Sequence, residues 1–108
     1  MSREKGFIAE EKAVSHLSNK GFKIIEKNFY IKGGEIDIIA VKDNILHFVE
    51  VKSGENYEAV YNLTAKKISR VIKTANVYMK KNSLDMPFCI DGAVVVGDTV
   101  ELIENITM

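Results

Sequence analysis

Between Gly33 and Lys52 the chain reads GGEIDIIAVKDNILHFVEVK, with three carboxylates and a lysine set among apolar, β-prone residues. The runs EIDIIAV (Glu35 to Val41) and ILHFVEVK (Ile45 to Lys52) flank the polar pair Asp43-Asn44, the pattern of a β-hairpin. With a two-residue turn at Asp43-Asn44, Lys42 faces Ile45, Asp37 falls opposite Glu50, and Glu35 falls opposite Lys52. Alternation puts Glu35, Asp37 and Ile39 on the same sheet face as Phe48, Glu50 and Lys52. Opposed carboxylates on a sheet repel each other. At ~5 Å and an effective dielectric of ~20 the repulsion is on the order of 3 kcal/mol. Lys52 offsets part of it through Glu35, and a divalent cation would offset the rest. An all-oxygen donor set points to Mg²⁺ or Mn²⁺ rather than zinc. The chemistry such a group supports is metal-assisted hydrolysis, with Lys52 orienting the attacking water or neutralising developing charge and Glu35 positioning Lys52.

Several elements must hold these residues. Ser2 to Lys20 reads as a helix whose stripe is Phe7, Glu10, Val14 and Leu17, bordered by Ala13 and stopped at Gly21. Glu10 lies inside that otherwise apolar stripe, so packing the helix on the sheet would bring a third carboxylate to the pair. FKIIEKNFYI, from Phe22 to Ile31, is a first strand, and the two arms of the hairpin are the second and third. Ser53 to Asn62 is a polar loop. Thr64 to Asn82 is a helix with Ile68, Val71, Ile72, Ala75, Tyr78 and Met79 on one face. Its opposite face carries Lys66, Arg70, Lys73 and Lys80, flanked by Lys67 and Lys81. FCIDGAVVV, from Phe88 to Val96, is a buried strand, and Gly97-Asp98 turns it into a last one from Thr99 to Ile103. The order α-β-β-β-α-β-β implies an α/β fold with a mixed sheet and a helix on each side.

Composition narrows the partners. The 108 residues suit one domain, 1–108, without a Pro- or Gly-rich linker, and 46% hydrophobic with 28% charged residues fits a folded, water-facing protein. Net charge is zero, so attraction to nucleic acid must come from local asymmetry. Such asymmetry exists: Asn62 to Asn82 holds six Lys or Arg and no acid, whereas Ser83 to Met108 holds five acids and no base. The single cysteine, Cys89, precludes an intramolecular disulfide and fits a reducing cytoplasm. MSREKGFIAEEK lacks the apolar core of a secretory signal, and no apolar run approaches ~18 residues, so no membrane partner is expected. His16 and His47 read as ordinary helix and strand residues, and Cys89 as a small buried apolar one.

GGEIDIIA followed by FVEVK resembles the signature of the PD-(D/E)xK nuclease superfamily. More closely, the chain is similar to the YraN-type family of uncharacterised bacterial proteins, which resemble archaeal-type Holliday-junction resolvases. The likeness runs from about Gly6 to Val96: GFIAEEKA matches the opening helix motif with Glu10 at its acidic position, and GEID and VEVK match the centre. Lys66, Lys67, Arg70 and the later strand with Asp91 match in type and position. The resemblance implies a restriction-endonuclease-like core in which Asp37, Glu50 and Glu10 hold Mg²⁺ or Mn²⁺, the Val51 carbonyl adds a ligand, and Lys52 serves the water. It implies a nuclease acting on nucleic acid, branched DNA among the candidates, with Lys66, Lys67, Arg70 and Lys73 as the contact surface and room for a homodimer. The alternative is a weakly active or inactive nucleic-acid-binding domain of the same fold. The family usually has glycine where Ala9 stands and arginines where Gly54 and Cys89-Ile90 stand, which removes two phosphate contacts. A glycosidase-like carboxylate pair is the remaining rival, but the chain has no tryptophan for a sugar platform.

Overall fold

The computed structural model describes residues 3–54 and 65–106. Helix α1 (Arg3–Asn19) leads into strands β1 (Lys23–Ile31), β2 (Gly34–Lys42) and β3 (Ile45–Ser53). Helix α2 (Ala65–Lys81) then precedes β4 (Phe88–Val96) and β5 (Thr99–Ile103). The polar loop expected from Ser53 to Asn62 falls almost wholly within 55–64, outside the described residues. The five strands lie in chain order, β1-β2-β3-β4-β5. All neighbours are antiparallel except β3 and β4, which run parallel and are joined through α2. This is the mixed sheet and the α-β-β-β-α-β-β order expected from the sequence.

Local chemistry explains the boundaries. Gly21, at φ 92°, ends α1, and the Phe22 N–H reaches back to the Leu17 carbonyl at 3.0 Å, closing the last turn. Asp43 and Asn44 both take positive φ, 52° and 63°, the backbone of a type I′ hairpin turn. Lys42 consequently pairs with Ile45. At the start of β2, a side chain at Gly34 would run into the Thr74 hydroxyl of α2, so only glycine lets strand and helix approach this closely.

Each helix covers one face of the sheet. Ala9, Ala13 and Leu17 of α1 pack on Ile38, Ala40, Val49, Val51, Ala93 and Val95. Val71, Ala75 and Tyr78 of α2 pack on Phe29, Ile36, Ile39, Leu46, Phe48 and Ile90. With both faces covered, Ile38 to Ala40 and Leu46 to Val49 are buried without a break. One expectation is corrected. Phe7 does not join the buried stripe of α1 but is 64% exposed and lines a cleft, while small Ala9 and Ala13 with Leu17 form the contact with the sheet.

Candidate active site

The β2–β3 ladder follows the expected register from Lys42↔Ile45 to Ile38↔Val49 and stops there. Asp37 and Glu50 are therefore not a hydrogen-bonded strand pair, nor are Glu35 and Lys52, which corrects the extended register. Asp37 supplies the reason: its Oδ2 accepts the Val51 N–H at 2.8 Å, taking a donor that backbone pairing would otherwise use. The alternation breaks at the same place. Ile36 and Ile39 both lie in the α2-side core, while Ile38 and Ala40 lie in the α1-side core. Asp37 sits at that interruption, and Asn28 on neighbouring β1 is left-handed at φ 54°. The strands part, and the gap becomes a cleft of about 520 Å³ lined by Glu10, Asn28, Glu35, Asp37, Glu50, Val51 and Lys52, with Phe7 and Tyr30 also lining it.

The carboxylates in this cleft are electrostatically strained. Burial, opposed by the Val51 N–H and reinforced by Glu35 and Glu10, pushes Asp37 up to about 6. Burial first and the Asp37 charge second push Glu50 up to about 8. Lys52 favours the ionised form of both without cancelling the rise. Glu10 is also raised by burial, moderated by Asn28 and Lys27. The Asn28 amide donates to Glu10 Oε1 at 2.8 Å and fixes the α1 carboxylate toward β1. Among the described residues Glu50 Oε1 is buried with no hydrogen-bond partner. A buried carboxylate oxygen left unsatisfied costs free energy unless a cation or proton meets it. The donor chemistry suits a hard divalent cation: among the described residues the cleft offers the carboxylates of Glu10, Glu35, Asp37 and Glu50 and no sulfur or imidazole, although no three of these carboxylates bring oxygens within 4.8 Å of one another.

Sequence comparison places the chain. The uncharacterised protein family UPF0102 matches residues 9–96, more than three quarters of the length. The chain belongs to the UPF0102 family. A UPF0102 protein of Wolinella succinogenes is 54% identical over 108 residues, covering both chains completely. One from Aliarcobacter butzleri is 52% identical over 110 residues, again end to end. One from Helicobacter pylori is 48% identical over 105 residues, 97% of this chain and 92% of the relative. The YraN-type assignment made from GEID and VEVK is thus correct at the family level.

Within this UPF0102 fold the cleft gathers most of the residues singled out in the sequence. Asp37, Glu50, Glu10, Val51, Lys52 and Glu35 all line it. Glu35 is exposed, and among the described residues no ion pair joins it to Lys52, so a direct clamp on the lysine is not formed. Glu35 instead lies by Tyr30 and raises the phenol, and it adds to the negative potential on Asp37 and Glu50. Lys67 and Arg70 of α2 reach a contiguous pocket shared with Glu35, Glu50 and Lys52. Lys73 lines a separate groove with Ser69, Ile72 and Lys80, and Lys66 is exposed at the start of the helix. Sequence reasoning missed Asn28, whose signal was a turn-favouring residue inside a β-prone run. It also missed a polar group on β3 and β4. His47, read as an ordinary strand residue, is buried against Asp91, and Cys89 is partly exposed and touches both rather than being buried among apolar groups.

Proposed function

We propose that this UPF0102 protein is a metal-dependent nuclease that hydrolyses phosphodiester bonds, with Asp37, Glu50 and Glu10 holding Mg²⁺ or Mn²⁺ and the Val51 carbonyl as a further ligand. The observation that carries the reading is Glu50 Oε1, a buried oxygen without a partner among the described residues, beside a second raised carboxylate and a lysine. The Asp37 N–H is the one backbone donor to the Glu50 carboxyl among the described residues, and it leaves Oε1 unmatched. When bound, the ion supplies Lewis acidity toward a phosphoryl oxygen and lowers the pKa of a coordinated water. The chain's own residues supply the rest. Lys52 orients the water and balances charge that builds on the phosphate, and Asn28 keeps Glu10 pointed at the cleft. Lys67 and Arg70 hold flanking phosphates over the adjoining pocket.

Phe7 and Tyr30, each 64% exposed at the cleft, offer ring faces on which unpaired bases can stack. They favour branched, flexible or single-stranded DNA over uniform duplex. The testing experiment is a cleavage panel of four-way, flapped, single-stranded and duplex DNA with matching RNA, in Mg²⁺ and in Mn²⁺. Slow, metal-dependent cutting, fastest on the branched or flexible substrates, is expected. The second reading, a binding domain without turnover, rests on zero net charge and on Gly54 and Cys89 standing where the resemblance supplies arginines. Binding without cutting in every metal would select it.

The basic face of α2 gives a further expectation. Replacing Lys66, Arg70 and Lys73 together by Ala removes three exposed cations. If all three meet phosphate, the slope of log K against log salt should flatten by roughly 2–3. Arg70 should dominate, since it alone of the three lines the pocket that Glu50 and Lys52 share. An unchanged affinity and slope would remove this helix from the binding surface.

A further inference from the structure

The parallel pairing of β3 and β4 brings His47 directly beside Cys89 and sets Val49 beside Asp91. Successive side chains alternate across a strand, so Cys89 and Asp91, two apart on β4, share a face. His47 Nδ1, Cys89 Sγ and a carboxylate oxygen of Asp91 all lie within 4.8 Å of one another. Nδ1 stands 2.6 Å from Asp91 Oδ2 and 3.1 Å from Cys89 Sγ. The thiol is also 3.3 Å from Asp91 Oδ1. None of these residues lines the carboxylate cleft; His47 is three positions from Glu50, about 10 Å along β3.

We propose that His47, Cys89 and Asp91 form a second metal site, for a borderline-soft divalent transition ion of the zinc class. Imidazole, thiolate and carboxylate together are the ligand chemistry of such ions and not of Mg²⁺. Hydrogen bonding accounts for only part of the geometry. An imidazole nitrogen has one in-plane position, occupied by either a proton or a lone pair. Nδ1 can therefore share a proton with Asp91 or with Cys89, and the other short contact has no proton between its atoms. A cation at the point where the three atoms converge would serve all of them. The charges balance as well: neutral His47, ionised Asp91 and a Cys89 thiolate, its proton released to solvent, add to minus two.

The supporting contacts match what a ligand set needs. Asp91 is fully buried, and its Oδ1 accepts the Asn105 N–H at 2.9 Å. The His47 ring is buried and held edge-on against Phe22, with centroids 4.8 Å apart. Such surrounding contacts fix ligand orientation. Cys89 is only partly buried, so the cluster is accessible from solvent on its side. In a tetrahedral zinc site with bonds of ~2.0 Å to N and O and ~2.3 Å to S, the donors lie roughly 3.3–3.6 Å apart. Nδ1 to Asp91 Oδ2 at 2.6 Å and Nδ1 to Sγ at 3.1 Å need to open by less than ~1 Å to reach that spacing, and Sγ to Asp91 Oδ1 at 3.3 Å already has it. Without metal, Nδ1–H donating to Asp91 Oδ2 and the thiol donating to Oδ1 keep the carboxylate satisfied, so the apo chain folds.

Cys89 is the chain's one cysteine, which makes the test selective. Titrating the full-length, metal-free protein with Co²⁺ should produce a thiolate-to-cobalt charge-transfer band that saturates at one ion per chain and disappears when Zn²⁺ is added. Cobalt bound at the all-oxygen cleft gives no such band. The band should be lost in Cys89→Ser, weakened at least tenfold in apparent affinity in His47→Gln, and unchanged in Glu50→Gln. Thermal unfolding of each metal-free variant checks that it is folded; Cys89→Ser, at a partly exposed position, retains the test if His47→Gln does not fold. Absence of the band in the wild type overturns the site. So does an unweakened band in folded His47→Gln, or saturation at one ion per two chains.

Discussion

Metal-free protein should lose stability as pH rises from about 4 to 8, and Mn²⁺ should restore it. Asp37 and Glu50 carry folded-state pKa values pushed up to about 6 and about 8, chiefly by burial and, for Glu50, next by the Asp37 charge. A raised carboxyl pKa means that the folded state holds a proton that the unfolded state has released. The associated stability is therefore complete below the unfolded values near 4 and is lost as pH climbs through the folded ones. Treating the two groups as one interacting pair, the loss between pH 5 and pH 8 is on the order of 3 kcal/mol, or about 10–15 °C in Tm for a chain of this size. Glu50→Gln should flatten the curve, and Asp37→Asn should leave the apo protein at pH 8 as stable as the wild type or more so. An amide at 37 can still accept the Val51 N–H. Saturating Mn²⁺, at roughly 100 times its Kd, should return about 2.7 kcal/mol to the wild type and much less to either variant. Apo stability that rises with pH, or equal Mn²⁺ stabilisation of wild type and Asp37→Asn, would contradict the metal-holding pair.

Lys52→Ala should abolish turnover while sparing fold and metal binding. Lys52 is half-buried at the rim of the cleft and has no ion pair among the described residues, so its removal should change stability by no more than about 0.5 kcal/mol. Its catalytic contribution is larger: loss of one positioned donor to a developing charge typically costs about 10²–10³ in kcat. Lys52 also favours ionised Asp37 and Glu50, so the variant should need more Mn²⁺ for saturation. Rates must therefore be compared at saturating metal. A fall in kcat with substrate affinity nearly intact is the expected division. An equal fall in affinity with kcat preserved would make Lys52 a phosphate anchor instead.

The parts of the molecule legible in the sequence are those governed by local rules. Asp43-Asn44 dictates a tight turn, the turn fixes Lys42 against Ile45, and that register brings Asp37 and Glu50 to one end of the hairpin. The spacing of Val71, Ala75 and Tyr78 defines the buried face of α2 just as directly. What escaped the reading depends on side chains displacing backbone. Strict alternation continues the ladder through Asp37, but the Asp37 carboxylate captures the Val51 N–H and opens the sheet into a cleft. Asn28 enters the site through a left-handed backbone that no period-two pattern contains. The meeting of His47, Cys89 and Asp91 depends on the parallel register of β3 and β4, separated by a whole helix, and neither turn chemistry nor periodicity fixes that register. Phe7 was misplaced because a helical stripe shows which side faces inward and not where along the helix its core contact begins, here at Ala9.

The central claim, that the strained carboxylates of the β2–β3 cleft hold a cation to hydrolyse phosphodiesters, is tested most directly by one cleavage assay. A labelled four-way or flapped DNA is incubated with wild type and Asp37→Asn side by side across an Mn²⁺ titration, then with excess EDTA. Wild type should cut with a rate that saturates in Mn²⁺ and falls to background in EDTA, and Asp37→Asn should stay at background until far higher Mn²⁺. Cutting that survives EDTA, or that Asp37→Asn performs with the wild-type metal dependence, would contradict the account.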